Sequence, residues 1–358
     1  MIRLYRLFGL LAFAFPLMMV GPASAQRAAA PGLLGAPPLE RRFGDWLLVC
    51  DNVRVCRAQV TGQGGSLMVR RDPGAAGLVR IVLDGQEPSD GPSLPDIGSI
   101  RVVGGLAPGG WRLDREAESA KLEGPPALTF LWAIAPARTL SYRAGGETRT
   151  VSLAGLTAAL LAMDEAQGRA GTVTASVRPG ARAATAVPAA QPVPVLWVPR
   201  PSAAPVPRGF AASVRRAHGA ALRRADCETN ELALANDSAV PLSRTEVLVF
   251  LGCRLYNTSF GSLLLRASRA DPRRASVVVL PPRPGEDGGT GSGDYTELEW
   301  DARTATLSSG GHSCAGSCGQ RTLWAFDGQA FRLAAHRTYQ AGGAEQLDHY
   351  RTNVRIRR

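Results

Sequence analysis

Phe43-Gly44-Asp45-Trp46-Leu47-Leu48-Val49-Cys50-Asp51-Asn52, with Cys56 close behind, is the stretch that decides the fold of this chain. Trp46 to Val49 is a short apolar run beside a Gly-Asp break, the pattern of a strand. Asp51 and Asn52 favour a turn, because their short polar side chains bond their own backbone. A turn there brings Cys50 and Cys56 together on adjacent strands. The expectation is a β structure stapled by a disulfide, at the start of an exported domain.

Export is read from the residues upstream. Arg3 and Arg6 give a positive start, Leu7 to Val20 is apolar, and Ala23-Ser24-Ala25 is a small-residue cleavage site. This is the layout of a secretory signal peptide over residues 1–25, so the mature chain is expected to begin at Gln26. The apolar run is too short for a membrane span, which needs about 20 residues, and Pro16 interrupts it. No other stretch reads as transmembrane. No cysteine follows the cleavage site to carry a lipid. The expected address is the periplasm, with secretion as the alternative.

The formal charge is +11, or +9 without Arg3 and Arg6. Such a balance normally raises nucleic acid or an anionic membrane as partner. Here the excess is arginine with no dense run, and Lys121 is the single lysine. With so much alanine, glycine and proline, this is the composition of a GC-rich coding sequence. Nucleic acid is therefore set aside, and an anionic envelope polymer is kept.

The six cysteines are Cys50, Cys56, Cys227, Cys253, Cys314 and Cys318. An even count in an oxidising compartment favours disulfides, and six cysteines allow 15 pairings. Proximity in sequence suggests Cys50–Cys56, Cys227–Cys253 and Cys314–Cys318. The rival reading is zinc at His312-x-Cys314-x3-Cys318. Zinc normally takes four ligands, and no second pair is evident.

Residues 181–208 hold seven prolines among alanines and valines, which reads as an extended linker. Residues 26–40 read as a flexible leader. That leaves an N-terminal domain over 41–180 and a C-terminal domain over 209–358. Both are expected to be β-rich α+β, each a mainly antiparallel sheet or sandwich with one or two helices. In the first, 46–49, 80–83, 100–103 and 128–132 read as strands. Thr139–Tyr142 and Thr150–Leu153 read as a hairpin around Gly145-Gly146. Leu156, Leu160 and Met163 then share a helix face, ending at Gly168 or Gly171. In the second, Phe210, Val214, Ala217 and Ala221 form an apolar helix stripe, with the arginines read as its solvated face. Val247 to Leu251 and Ser276 to Leu280 read as strands, Gly288 to Gly293 as a flexible loop, and Asp327-Gly328 as a type I′ turn.

Three blocks together resemble the bacterial periplasmic family classed as domain of unknown function 1176 (DUF1176). The first is Phe43 to Asn52. The second is Gly155 to Arg169, similar to the segment closing that family's first domain. The third, Trp300 to Leu307 and Cys318 to Leu333, looks like its closing hairpin. The opening motif and general layout also resemble the small exported invasion-associated locus B-like proteins. A cysteine that the DUF1176 resemblance implies near Gln340 is absent and Cys314 stands instead, which implies a rewired Cys314–Cys318 bridge. The family has no agreed activity, so the resemblance implies an address and a fold.

Within the second block, Asp164 and Glu165 point about 100° apart on a helix and do not form a catalytic pair. Glu165 and Arg169 read as an i,i+4 surface pair. Trp324, Phe326 and Phe331 read as cross-strand core. No nucleophile elbow, P-loop, H-E-x-x-H or dinucleotide fingerprint is present. No residue is assigned to catalysis, a cofactor or a metal. Three functions stay open: a binding or interaction module of the envelope, an envelope hydrolase or its inhibitor using His312 or His336, and a structural stress protein.

Overall fold

The computed structural model describes residues 33–62, 65–84, 94–102, 105–106, 109–202, 204–228, 230–255, 260–284, 294–313, 318–339 and 346–357. The leader over 1–25 lies outside them. Among the described residues no helix is long and apolar enough to cross a membrane.

The N-terminal half runs β1 (Leu39–Phe43), β2 (Trp46–Cys50), β3 (Cys56–Gly62), β4 (Gly65–Arg71), β5 (Val79–Asp84), β6 (Pro95–Val102), β7 (Gly105–Leu106), β8 (Arg112–Asp114), β9 (Ser119–Glu123), α1 (Pro125–Ile134), β10 (Thr139–Ala144), β11 (Glu147–Ser152) and α2 (Leu156–Ala166). An antiparallel sheet orders as β1-β2-β3-β4-β5-β9-β8, and a smaller one as β11-β10-β6-β7. Alternate residues of β2 to β5, facing inward, meet Leu140, Tyr142 and Val151 of the smaller sheet and the apolar faces of both helices in one core.

Gly145 and Gly146, with φ of 59° and 84°, make the two-residue turn of the β10–β11 hairpin, as expected. The stretch 128–132, expected as a strand, is instead the centre of α1. Pro125 and Pro126 open that helix, and Ala127, Phe130, Leu131 and Ile134 are buried at helical spacing. A short apolar run does not reveal its period, and the prolines were the deciding signal.

The rest of the chain forms β12 (Val195–Val198), α3 (Phe210–Ala217), α4 (Gly219–Arg224), α5 (Glu231–Ala235), β13 (Ser238–Pro241), β14 (Glu246–Leu255), β15 (Phe260–Ser268), β16 (Ala275–Val277), β17 (Asp294–Thr296), β18 (Leu298–Asp301), β19 (Thr306–Ser313), β20 (Cys318–Phe326), β21 (Phe331–Tyr339), β22 (Leu347–Arg351) and β23 (Asn353–Ile356). These stack in layers. Phe210, Val214 and Leu222 of α3 and α4 cover one face of β14 and β15. The other face, with Leu248, Phe250 and Leu264, packs on Trp324, Phe326, Phe331 and Leu333 of the sheet β18-β19-β20-β21-β22. Residues 247–253 of β14 are therefore buried without alternation, as a strand covered on both faces must be. The outer face of the second sheet is partly covered by a parallel ribbon of β12 and β23, through Leu196, Val198, Ala325 and Ala334.

The ribbon changes the picture of 181–208, because Val195–Val198 of the proline-rich segment are hydrogen-bonded strand. Residues 33–40 of the expected flexible leader are also engaged, Leu39 and Glu40 as the start of β1 and Leu34 by hydrogen bonds. On α3, Arg215 is not a solvated base. Its guanidinium grips Asp237 through two bonds of 2.6 Å and donates to the Gly252 carbonyl. Of Ser276 to Leu280, only Ser276 and Val277 are strand, the end of β16. The expected type I′ turn at Asp327-Gly328 is a four-residue loop, because Phe326 pairs with Phe331. The Asp327 carboxylate accepts from the amides of Gln329 and Ala330 and closes the loop itself.

Candidate functional site

The opening motif is spent on structure. Trp46 is fully buried and its Nε1 donates to the Ser152 carbonyl at 3.1 Å. The Asp45 carboxylate accepts from the Ser152 hydroxyl at 2.6 Å, and the Asp45 amide donates to Ala154. Gly155 sits at φ 98°, where a Cβ would lie 1.8 Å from the Phe43 carbonyl oxygen. The first and second blocks of the sequence thus meet at a seam between β1, β2 and the start of α2.

The disulfide loop reaches the other end of the chain. Cys50 and Cys56 are register partners on β2 and β3 and form a disulfide with Cα atoms 4.0 Å apart. Inside the loop, Asp51 Oδ1 accepts from the amides of Val53 and Val55. Its Oδ2 lies 2.7 Å from Arg351 Nε, an ion pair by distance rather than an aligned hydrogen bond. Burial, only partly offset by Arg351, pushes the Asp51 carboxyl above its usual range. Asn52 clamps the Arg351 backbone from both sides: its Nδ2 donates to the carbonyl at 2.9 Å and its Oδ1 accepts from the amide at 3.0 Å. The same Nδ2 donates to Leu34, whose amide donates to the Tyr350 hydroxyl.

Two buried histidines lie beside this clamp, with ring centres 5.1 Å apart. His336 Nδ1 is 3.0 Å from the Thr322 hydroxyl. His349 Nε2 is 2.8 Å from the Thr338 hydroxyl, and its Nδ1 is 3.0 Å from Glu40 Oε2 on β1. The close contact with His349 holds the Glu40 carboxyl below its usual range, against the opposing effect of burial.

The second block is a buried brace rather than a surface. Asp164 accepts from the Ser176 amide and hydroxyl at 2.7 and 2.8 Å, while burial pushes its carboxyl up. Arg169 is fully buried and donates to Gln167, Thr174 and the carbonyls of Asp72 and Gly74. The expected Glu165–Arg169 surface pair is therefore overturned: Glu165 is exposed and Arg169 turns inward to cap a loop. Gln167 ties α2 to the disulfide loop by donating to Arg54 and Arg71. Burial and the neighbouring Arg169 bring the Arg71 guanidinium down to about 10.

Open charge collects elsewhere, in a groove of about 610 Å³ on the outer face of the sheet β18–β22. Register sets its plan. Glu299 pairs with Ser308, which pairs with Leu323, which pairs with Ala335. One step along, Gly310 pairs with Arg321, which pairs with Arg337. Glu297, just before β18, completes the acidic side at φ 50°. The groove thus has an acidic wall, a low floor of Ser308, Gly310, Leu323 and Ala335, and a basic wall with Tyr339 and Gln346 beyond it. Arg337 is held by Gln346 at 3.0 Å and lies 3.6 Å from Asp348. Glu297, Glu299 and Arg321 have no ion-pair partner among the described residues.

Of the cysteines singled out in the sequence, Cys50–Cys56 and Cys227–Cys253 are bridged, the latter with Cα atoms 4.2 Å apart. Both spans fall just short of the common 4.4–6.8 Å range. The pairing of Cys314 with Cys318, the side chain of His312 and the glycine loop 288–293 lie outside the described residues. Among the described residues, no cluster of three or more His, Cys, Asp or Glu is placed to hold a metal ion. The groove residues carried no catalytic or ligand-binding motif, although Arg321 and Leu323 fall inside the third block. Their only signal was alternate charge along apolar strands, which reads like any solvated face.

The profile of a protein family of unknown function, DUF1176, matches residues 40–342. The uncharacterised protein YpfG of Escherichia coli (strain K12) is 27% identical over 323 residues, covering 85% of this chain and 89% of that protein. No solved structure matches the chain.

Proposed function

The chain belongs to the DUF1176 family, and from that premise we propose that it is an exported, non-catalytic binding module of the cell envelope. The observation that carries the reading is the division of labour among polar side chains. Asp45, Asp51, Asn52, Asp164, Gln167 and Arg169, six polar residues of the first two blocks, are committed to partners within the fold, while Glu165 is exposed. Three charges with no ion-pair partner among the described residues, Glu297, Glu299 and Arg321, face one another in the groove over β18–β21. A concave surface with a few convergent polar groups is the ordinary form of a binding site. The signal-peptide layout, the two disulfides and the opening motif's likeness to invasion-associated locus B-like proteins support the periplasmic address. Two folded units, over 41–180 and 209–358, remain part of this reading. The partner is an envelope protein or an anionic envelope polymer.

Immobilised mature protein tests this against envelope extract, with mass spectrometry and an Arg321→Glu variant alongside. A component captured by the wild type and lost on the variant is the expected result. Identical capture by both would overturn the groove as the binding site.

A hydrolase reading has one observation in its favour, the order Thr338 hydroxyl, His349, Glu40 carboxylate, which follows triad geometry. It is the weaker reading. Thr338 lies between Arg337 and Tyr339, both lining the groove, so alternation directs its hydroxyl to the opposite face.

A further inference from the structure

We infer that the groove over β18–β21 takes a short linear peptide with both ends charged, its carboxylate on the Arg321 and Arg337 wall and its ammonium on the Glu297 and Glu299 wall. This rests on the binding reading above and names the ligand class of that site.

The signs are segregated. Both acids belong to the β18 side and both arginines to β20 and β21, with β19 contributing only Ser308 and Gly310 between them. Adjacent strands lie about 4.8 Å apart, so the β18 and β20 backbones are separated by about 10 Å. That is the reach of about three extended residues at roughly 3.3 Å each. A single free amino acid holds its charges too close together to span it.

Three of the four charges are also left open: Arg337 has Asp348 at 3.6 Å, while Glu297, Glu299 and Arg321 have no ion-pair partner among the described residues. At other places in this half opposite charges do pair, as Arg332 with Asp327 at 2.7 Å and Arg266 with Glu246. Glu299 and Arg321 are exposed in one groove and do not meet. Arg321 and Arg337 are direct cross-strand partners, a like-charge juxtaposition that an anion between them would relieve. Two guanidinium forks facing one space are suited to a carboxylate.

The floor is kept low. A Cβ on Gly310 would meet nothing closer than Glu297 Oε2 at 3.8 Å and the Gln320 carbonyl at 3.9 Å, so the protein itself does not demand glycine there. A side chain at 310 would rise into the groove instead. Glu297 has positive φ without being glycine, a conformation that needs a local reason, and it aims a carboxylate at the same space. The acidic wall also repels a polyanion, so of the two partner classes kept open above, the groove suits a peptide segment and disfavours the anionic polymer.

Calorimetric titration of the mature full-length protein tests the assignment, using tri-alanine, N-acetyl-tri-alanine and tri-alanine amide. Capping either end should weaken binding about tenfold, the effect of one lost charge-assisted contact. Glu299→Gln should abolish the penalty of acetylation, and Arg321→Gln the penalty of amidation, as a double-mutant cycle requires of groups in contact. Both positions are exposed, so thermal melting should show unchanged folds. Equal affinity for all three peptides, or no binding at millimolar peptide, overturns the ligand class. Capture from envelope extract that still depends on Arg321 would then leave the binding role standing with another ligand.

Discussion

Asn52 does more for this molecule than its place in a turn suggests. Its carboxamide supplies the two hydrogen bonds that a neighbouring strand would otherwise give to Arg351, and a third to Leu34. Asn52→Ala leaves the Arg351 amide and carbonyl without those partners at a buried junction. A loss of about 1–3 kcal/mol is expected, measured by urea unfolding. Glu40→Gln tests the neighbouring contact through pH. The Glu40 carboxyl is depressed in the folded state, so its contribution is present above about 4.3, the unfolded value, and disappears as pH falls through the folded value. The stability gap between wild type and variant should therefore be open at neutral pH and close in acid. A gap that widens in acid would refute the contact. The sequence identified Asp51 and Asn52 as turn formers and gave the Cys50–Cys56 staple. It gave no sign that the Asn52 side chain meets a residue 299 positions away, because no local pattern encodes that distance.

Among the elements, legibility followed periodicity. β2, β5, the β10–β11 hairpin and α2 were readable because a glycine pair, a flanking break or a 3.6-residue stripe marked them. Helix α1 was missed because a five-residue run with four apolar side chains fits either period. The groove was missed for a different reason. Its walls come from four strands brought side by side by tertiary pairing, and each strand alone shows only ordinary alternation. The seam between β1 and α2 offers a test at this scale. Gly155→Ala puts a methyl group against the Phe43 carbonyl and forces a left-handed backbone on alanine. A loss of about 1–3 kcal/mol is expected, seen as a lower melting temperature. Removing the Cys227–Cys253 bridge by replacing both residues with alanine should cost about 2–4 kcal/mol, since it closes a long loop onto the buried Cys253. A variant as stable as the wild type would show that the bridge constrains little.

At the scale of the whole molecule, the question is how far the two halves behave as one. The proline-rich segment implies separable units, yet two features tie across it. Val195–Val198 run beside the C-terminal strand β23, and the Cys50–Cys56 loop holds Arg351 on β22. Cleavage and separation should therefore be distinct events. Elastase or trypsin is expected to cut at the exposed residues 189–191 or 204–208 and to spare the paired 195–198, where Val198 is fully buried. The fragments should still elute together on size exclusion, because the Asn52 clamp, the Asp51–Arg351 pair and the Glu40–His349 contact do not depend on the covalent link. Asn52→Ala combined with Arg351→Ala should let the cut halves part. Fragments of the wild type that separate at once would mean that the clamp contributes little. Cleavage within 195–198 would mean instead that β12 detaches readily from the ribbon.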